Sequence, residues 1–164
     1  MIVPILRYPD PRLSLKAAPV RDGEPLDALI ENLLDTMKKN NGAGLAAPQI
    51  GVALRVFVLS EETSPTQQVF VNPSWFTHGT GGRISSEDEG CLSFPGVRIT
   101  RPRYPHVMVH AWDRRRQMFE LVLSDFAAFA VQHENDHLDG VLMADGMPRG
   151  ERRRIAALVR RGRA

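Results

Sequence analysis

His133 and His137 stand four residues apart, with Glu134 directly after the first, in the stretch Gln132-His133-Glu134-Asn135-Asp136-His137-Leu138-Asp139-Gly140. On an α-helix, residues at this spacing lie one above the other on one face, so both imidazoles can address a single cation. Glu134 is turned about 100° round the axis. It misses direct contact with such an ion but can reach a water on it. Two histidine ligands and a neighbouring general base are the equipment of metal-assisted hydrolysis. The residues just before, Phe126-Ala127-Ala128-Phe129-Ala130-Val131, are apolar all round the predicted helix, which predicts that the helix is buried. Buried His and Glu need partners, and a metal with its water would supply them.

A catalytic site of this kind needs a third protein ligand and one open position. A third histidine in the pattern His-x-x-Gly-x-x-His is not available: Gly140 fits, but the last position is Met143. Glu151, the only glutamate after the motif, would complete a thermolysin-like peptidase site, yet it lies among arginines. The third option is upstream. Cys91, the one cysteine in the chain, sits in Glu87-Asp88-Glu89-Gly90-Cys91-Leu92-Ser93-Phe94-Pro95-Gly96. A metal would hold it as thiolate. Together with His133 and His137 it gives a Cys-His-His set. A lone cysteine also excludes a disulfide within the chain and fits a reducing, cytoplasmic setting.

A second small-residue segment, Gly42-Ala43-Gly44-Leu45-Ala46-Ala47-Pro48-Gln49, is no phosphate loop: the third glycine and the Lys-Ser/Thr pair are missing. Small residues here let a backbone pass close to a substrate or metal centre. Gln49 offers an amide that could donate a hydrogen bond.

These residues need a scaffold. With 164 residues, 43% hydrophobic and 24% charged, the chain suits one globular domain spanning 1–164. No apolar run is long enough to span a bilayer, and the N-terminus lacks the features of a secretory signal. Four prolines between Pro4 and Pro19 predict an irregular arm. Leu26, Leu29, Ile30, Leu33, Leu34 and Met37 recur at helical spacing until Asn41-Gly42 stops the helix. Strands are expected over 54–59, over 69–71 up to Asn72-Pro73, and over 106–112 and 118–123, with a hairpin turn at 113–116. Asp125 is the expected N-cap of the motif helix, which should stop near Gly140. A final helix over 150–161 should bury Ile155, Leu158 and Val159. The order gives an α+β fold: antiparallel sheets around a central metal-binding helix, with an N-terminal helix and a basic C-terminal one.

The last stretch carries Arg149, Arg152, Arg153, Arg154, Arg160, Arg161 and Arg163 against Glu151 alone. Without them the body holds 14 basic and 18 acidic residues, so the net +2 hides an acidic body and a basic tail. Such a tail suits an anionic partner as well as it suits a solvated helix end.

The segments Gly42–Gln49, Glu89-Gly90-Cys91-Leu92-Ser93 and Gln132–Gly140, in that order, resemble the three motifs of peptide deformylases, matching every fixed position. The arm at Ile5–Leu13, the first helix and Val71-Asn72-Pro73 extend the likeness over nearly the whole chain. The resemblance implies hydrolysis of the N-formyl group from the starting methionine of newly made polypeptides, with release of formate. It implies one divalent ion on Cys91, His133 and His137 with water fourth: Fe2+ in the cell, with Zn2+ or Ni2+ as substitutes. In this reading the ion activates its water, and Glu134 takes the proton and returns it to the leaving amine. Gln49 and the backbone N–H near Leu92 hold the developing oxyanion. Gly44 and Leu45 border the formylmethionyl peptide, and Phe129 helps line the methionine pocket. Gln132, Asp136 and Glu89 orient ligands or the loop. A basic C-terminal helix implies contact with the ribosome, with no membrane partner. A deformylase-like paralogue acting on another formylated substrate is the nearest alternative.

Three positions depart from the family pattern. Asn135 stands where an apolar residue is usual, so its amide requires partners. Ala43 replaces a branched residue between the glycines, which would widen the cleft. The stretch 95–102 reads as a short loop.

Overall fold

The computed structural model describes residues 1–162; Arg163 of the basic tail lies outside the described residues. Helix α1 (Asp27–Lys39) ends where expected: Asn41 takes a positive φ of 50° and the Gly42 N–H returns to the Met37 carbonyl at 3.0 Å. A five-stranded antiparallel sheet follows, built from β1 (Gly44–Ala46), β2 (Val56–Leu59), β3 (Val69–Thr77), β6 (His106–Trp112) and β7 (Met118–Ser124) in the order β1-β2-β3-β6-β7. The intervening β4 (Ile84–Gly90) and β5 (Arg98–Arg103) form a separate two-stranded ribbon. Helices α2 (Asp125–Leu138) and α3 (Arg149–Arg161) close the chain.

The two faces of the large sheet serve different helices. Phe57, Leu59 and Phe70 join Val107 and Val109 in a cluster with Ala128, Val131 and Leu138 of α2. Val56, Val58, Val69 and Val71, one residue out of phase, join Ile30, Leu33 and Met37 of α1. This is the period-2 alternation of a strand buried on both sides, and it explains why all four residues of β2 are buried. Phe57 and Phe70 stack at 4.7 Å between centroids. Truncating either to alanine would cost about 3–5 kcal/mol.

Several expectations need correction. β3 does not stop at Asn72-Pro73. It continues to Thr77 through an irregularity between Val71 and Ser74, where Asn72 takes a positive φ of 49° and its amide pairs with both the N–H and the carbonyl of Val20, at 2.8 and 2.9 Å. Asp125 is the first helical residue, and Ser124 occupies the cap position without a side-chain bond to the helix N–H groups; its Oγ pairs with His106 Nδ1 at 3.1 Å instead. Leu158 is 40% exposed; Ile155, Ala156 and Val159 form the buried stripe of α3. The stretch 95–102 is not merely a loop, since Arg98 opens β5. The turn at 113–116 is as expected, with Asp113 Oδ1 accepting from the N–H groups of Arg115 and Gln117 at 2.8 Å each.

Candidate metal centre

Helix α2 is buried along its second half, not throughout. Val131 to Asn135, His137 and Leu138 are enclosed, whereas Phe126 is 63% exposed and Phe129 and Ala130 are half-buried. The apolar first turns face an open cleft; the polar motif lies at its floor. That inverts the expectation of an apolar, wholly buried helix carrying a polar end.

At the floor, one ligand atom each from Cys91, His133 and His137 lies within 4.8 Å of the others, and Cys91 Sγ is 3.2 Å from His137 Nε2. A tetrahedral ion with bonds of about 2.0–2.3 Å would separate such donors by a little over 3 Å, so the cluster is close to what one cation requires. One thiolate and two imidazoles suit a borderline-soft divalent ion. Glu151 is exposed on the first turn of α3 and takes no part in the cluster, and Met143 is buried against Phe94 and Val97.

The shell around the cluster is specific. Glu89 Oε1 lies 2.7 Å from His133 Nδ1, which turns the other ring nitrogen to the cluster. Arg103, buried, donates to both oxygens of Glu89 at 2.7 and 2.9 Å and to Asp136 Oδ2 at 2.7 Å. Burial alone would raise the Glu89 carboxyl, but hydrogen bonds from His133 and Arg103 outweigh it and hold it down to about 2. Burial lowers His133 too, yet the Cys91 sulfur and Glu89 overcome it and push His133 well up. His137 goes the other way, driven down by burial and by the charge on His133.

Glu134 is enclosed beside the cluster. Burial raises its carboxyl to about 7, and Oε2 has no hydrogen-bond partner among the described residues. Gly44 of β1 lies against it. Gln49 is 1% exposed: its Oε1 accepts from the Ala46 N–H at 2.8 Å, and its Nε2 donates to Ser93 Oγ at 3.1 Å and faces Cys91 Sγ at 3.5 Å. Leu92 and Gly44 line the cleft, but the Leu45 side chain is fully buried in the α1 cluster, so only its backbone is available. Gln132 ties α2 to Tyr104, accepting from its N–H at 3.0 Å and donating to its carbonyl at 2.8 Å.

The cleft encloses about 650 Å³ between α2, β4, the Asn41–Gly44 turn and the Pro95–Arg98 segment, with Phe126, Phe129 and Ala130 on the helix side. Two contributors escaped sequence reading. Arg103 sits in Arg-Pro-Arg without alternation. Arg55 donates to Asn135 Oδ1 at 3.2 Å and Asp139 Oδ1 at 2.7 Å, while Asn135 Nδ2 reaches Asp139 Oδ2 at 2.9 Å. The amide at the departing position is thus bonded through both its oxygen and its nitrogen.

The sequence profile of the polypeptide deformylase family matches residues 2–153. A peptide deformylase of Thermodesulfovibrio yellowstonii is 41% identical over 150 residues, 88% of each chain. The crystal structure of a peptide deformylase from Legionella pneumophila superposes with a TM-score of 0.88 at 38% identity, covering 98% of this chain and 95% of that one. A Met-Ala-Ser-bound class I type b peptide deformylase from Acinetobacter baumannii gives 0.78 at 32% identity, covering 88% and 99%.

Proposed function

This chain belongs to the polypeptide deformylase family, and from that premise we propose how its residues divide the work. The reaction is hydrolytic removal of the N-formyl group from nascent peptides. The observation that carries the assignment of roles is the convergence of Cys91, His133 and His137 at one point. They would hold one divalent ion, ferrous in the cell, with zinc or nickel as workable substitutes. When bound, the ion supplies Lewis acidity and lowers the pKa of water toward neutrality.

Glu134 takes the proton from the attacking water and hands it to the departing amine. Its burial beside the cluster, with Oε2 unpartnered among the described residues, suits it to accept and return a proton there. As charge grows on the formyl oxygen, the Gln49 amide and the Leu92 backbone N–H donate to it. One such donor is worth on the order of 3 kcal/mol of barrier. Gln49 is suited to this because Ala46 and Ser93 fix its amide plane. Glu89 holds His133 in one orientation, with Arg103 holding Glu89. The Gly44 backbone borders the peptide, and the methionine side chain lies against Phe129 and Ala130, with Phe126 at the rim.

No described helix is long and apolar enough to cross a membrane. Family membership supports work in the cytoplasm, and the exposed arginines of α3 support a contact with the ribosome; a tail-truncated protein that co-sediments with ribosomes as well as full length would refute that contact. The catalytic assignment is tested by formate release from formyl-Met-Ala-Ser by anaerobic ferrous protein. Turnover by the wild type, and no turnover and no bound ion in Cys91→Ala, is the expected result. A Cys91→Ala protein that keeps its ion would refute it.

A further inference from the structure

Three carboxylates, Glu87, Asp88 and Glu89, follow one another on β4, and only Glu89 reaches His133. The ribbon's pairing shows what selects it. Ile84, Ser85 and Ser86 oppose Arg103, Pro102 and Arg101, but Glu89 opposes Ile99 and Gly90 opposes Arg98. Between these runs β4 advances three residues while β5 advances two, so Glu87 and Asp88 share the single partner Thr100. This is a β-bulge with one extra residue in β4. Arg103, Arg101 and Ile99 alternate along β5 and share a face, so Ser86 and Glu89 share that face too. In an unbroken ladder the residue opposite Ile99 would be Asp88, and Glu89 would point to the other side.

Asp88 adopts φ 60°, a left-handed conformation in which Asp is tolerated and a β-branched residue is not. The bulge is fastened from across the ribbon: Arg98 donates through Nη1 to the Asp88 carbonyl at 2.9 Å. Arg98 also covers Gly90, where a Cβ would meet the guanidinium carbon at 3.0 Å.

We propose that Asp88 and Arg98 are positioning residues for the metal centre: the bulge they maintain sets the phase of β4 so that Glu89, not Asp88, holds His133. The proposal rests on Cys91, His133 and His137 being the ligand set. It is tested by titrating the metal-free protein with Zn2+ and Co2+, with circular dichroism as the check on folding. D88G, which accepts the left-handed backbone, should bind within about two-fold of the wild type. D88V should bind on the order of 10- to 100-fold more weakly, the usual cost of losing a group that orients a ligand, and E89Q should fall in the same range. D88V/E89Q should be no weaker than E89Q, because both changes remove the same hydrogen bond. If D88V does not fold, R98A replaces it: several-fold weaker binding that disappears in the E89Q background. Wild-type affinity in D88V or R98A, equal loss in D88G and D88V, or multiplied losses in the double variant would overturn the proposal. A wild type that binds no ion would instead overturn the ligand set, and the proposal with it.

Discussion

Gly44 lies directly against Glu134: a Cβ built on it would stand 2.6 Å from Oε1 and 2.9 Å from Cδ. The first strand therefore passes the motif helix at a distance only hydrogen permits. Gly44→Ala should push the carboxylate aside and lower kcat by about 10²-fold or more, the scale of a displaced general acid–base group. Bound metal should be unchanged, since the nearest atoms all belong to Glu134. Steady-state formate release beside metal analysis reads both quantities.

Gln49 separates its two ends by task. Its oxygen fixes the Ala46 N–H, and its nitrogen faces Ser93 and Cys91. Gln49→Glu keeps the acceptor and removes the donor. The fold and the ion should survive while kcat falls about 10²-fold or more. A loss confined to KM would argue against a role in stabilising developing charge.

Glu89 and Glu134 give the metal-free protein opposite pH dependences. Glu89, held at about 2, contributes stability that is complete above its ordinary 4.5 and is lost as pH falls from 4.5 through about 2. Glu134, raised to about 7, holds its proton more tightly when folded. Its contribution is present below 4.5 and is lost as pH rises from 4.5 through about 7. Each window is worth on the order of 3 kcal/mol. Urea unfolding across this range should show E89Q flattening the acid limb and E134Q flattening the neutral limb.

Arg55 braces the end of the motif helix through Asn135 and Asp139. Arg55→Met leaves the buried Asn135 oxygen unpaired and should cost about 1–3 kcal/mol. Adding Asn135→Leu removes the orphaned group and should recover part of that loss. Denaturant unfolding of the two single variants and the double variant measures the coupling.

The site was legible where chemistry depends on residue type at helical spacing. His133, Glu134 and His137 stand out by their spacing, whereas Cys91 was one option for a third ligand until the likeness to the family's three motifs singled it out. What escaped was strand structure without a hydrophobic period. Ile-Ser-Ser-Glu-Asp-Glu-Gly and Arg-Ile-Thr-Arg-Pro-Arg look like loops, since their inward positions hold Ser86, Glu89, Arg101 and Arg103. Those segments become strands by pairing with each other and by the ion pairs they make with α2. Arg103 and Arg55 were invisible for the same reason: a lone arginine in a polar run is ordinarily solvated, and only the fold gives each its carboxylate. Leu158 misled by apolarity; α3 needs only the Ile155–Val159 stripe to cover Leu13 and Phe94.

The proposed chemistry depends on sulfur and imidazole meeting at one cation. X-ray absorption at the metal edge of the iron- or zinc-loaded protein tests this most directly. One sulfur neighbour near 2.3 Å and two imidazole nitrogens near 2.0–2.1 Å are expected, with the sulfur gone in Cys91→Ala. A metal surrounded only by nitrogen and oxygen in the wild type would contradict it.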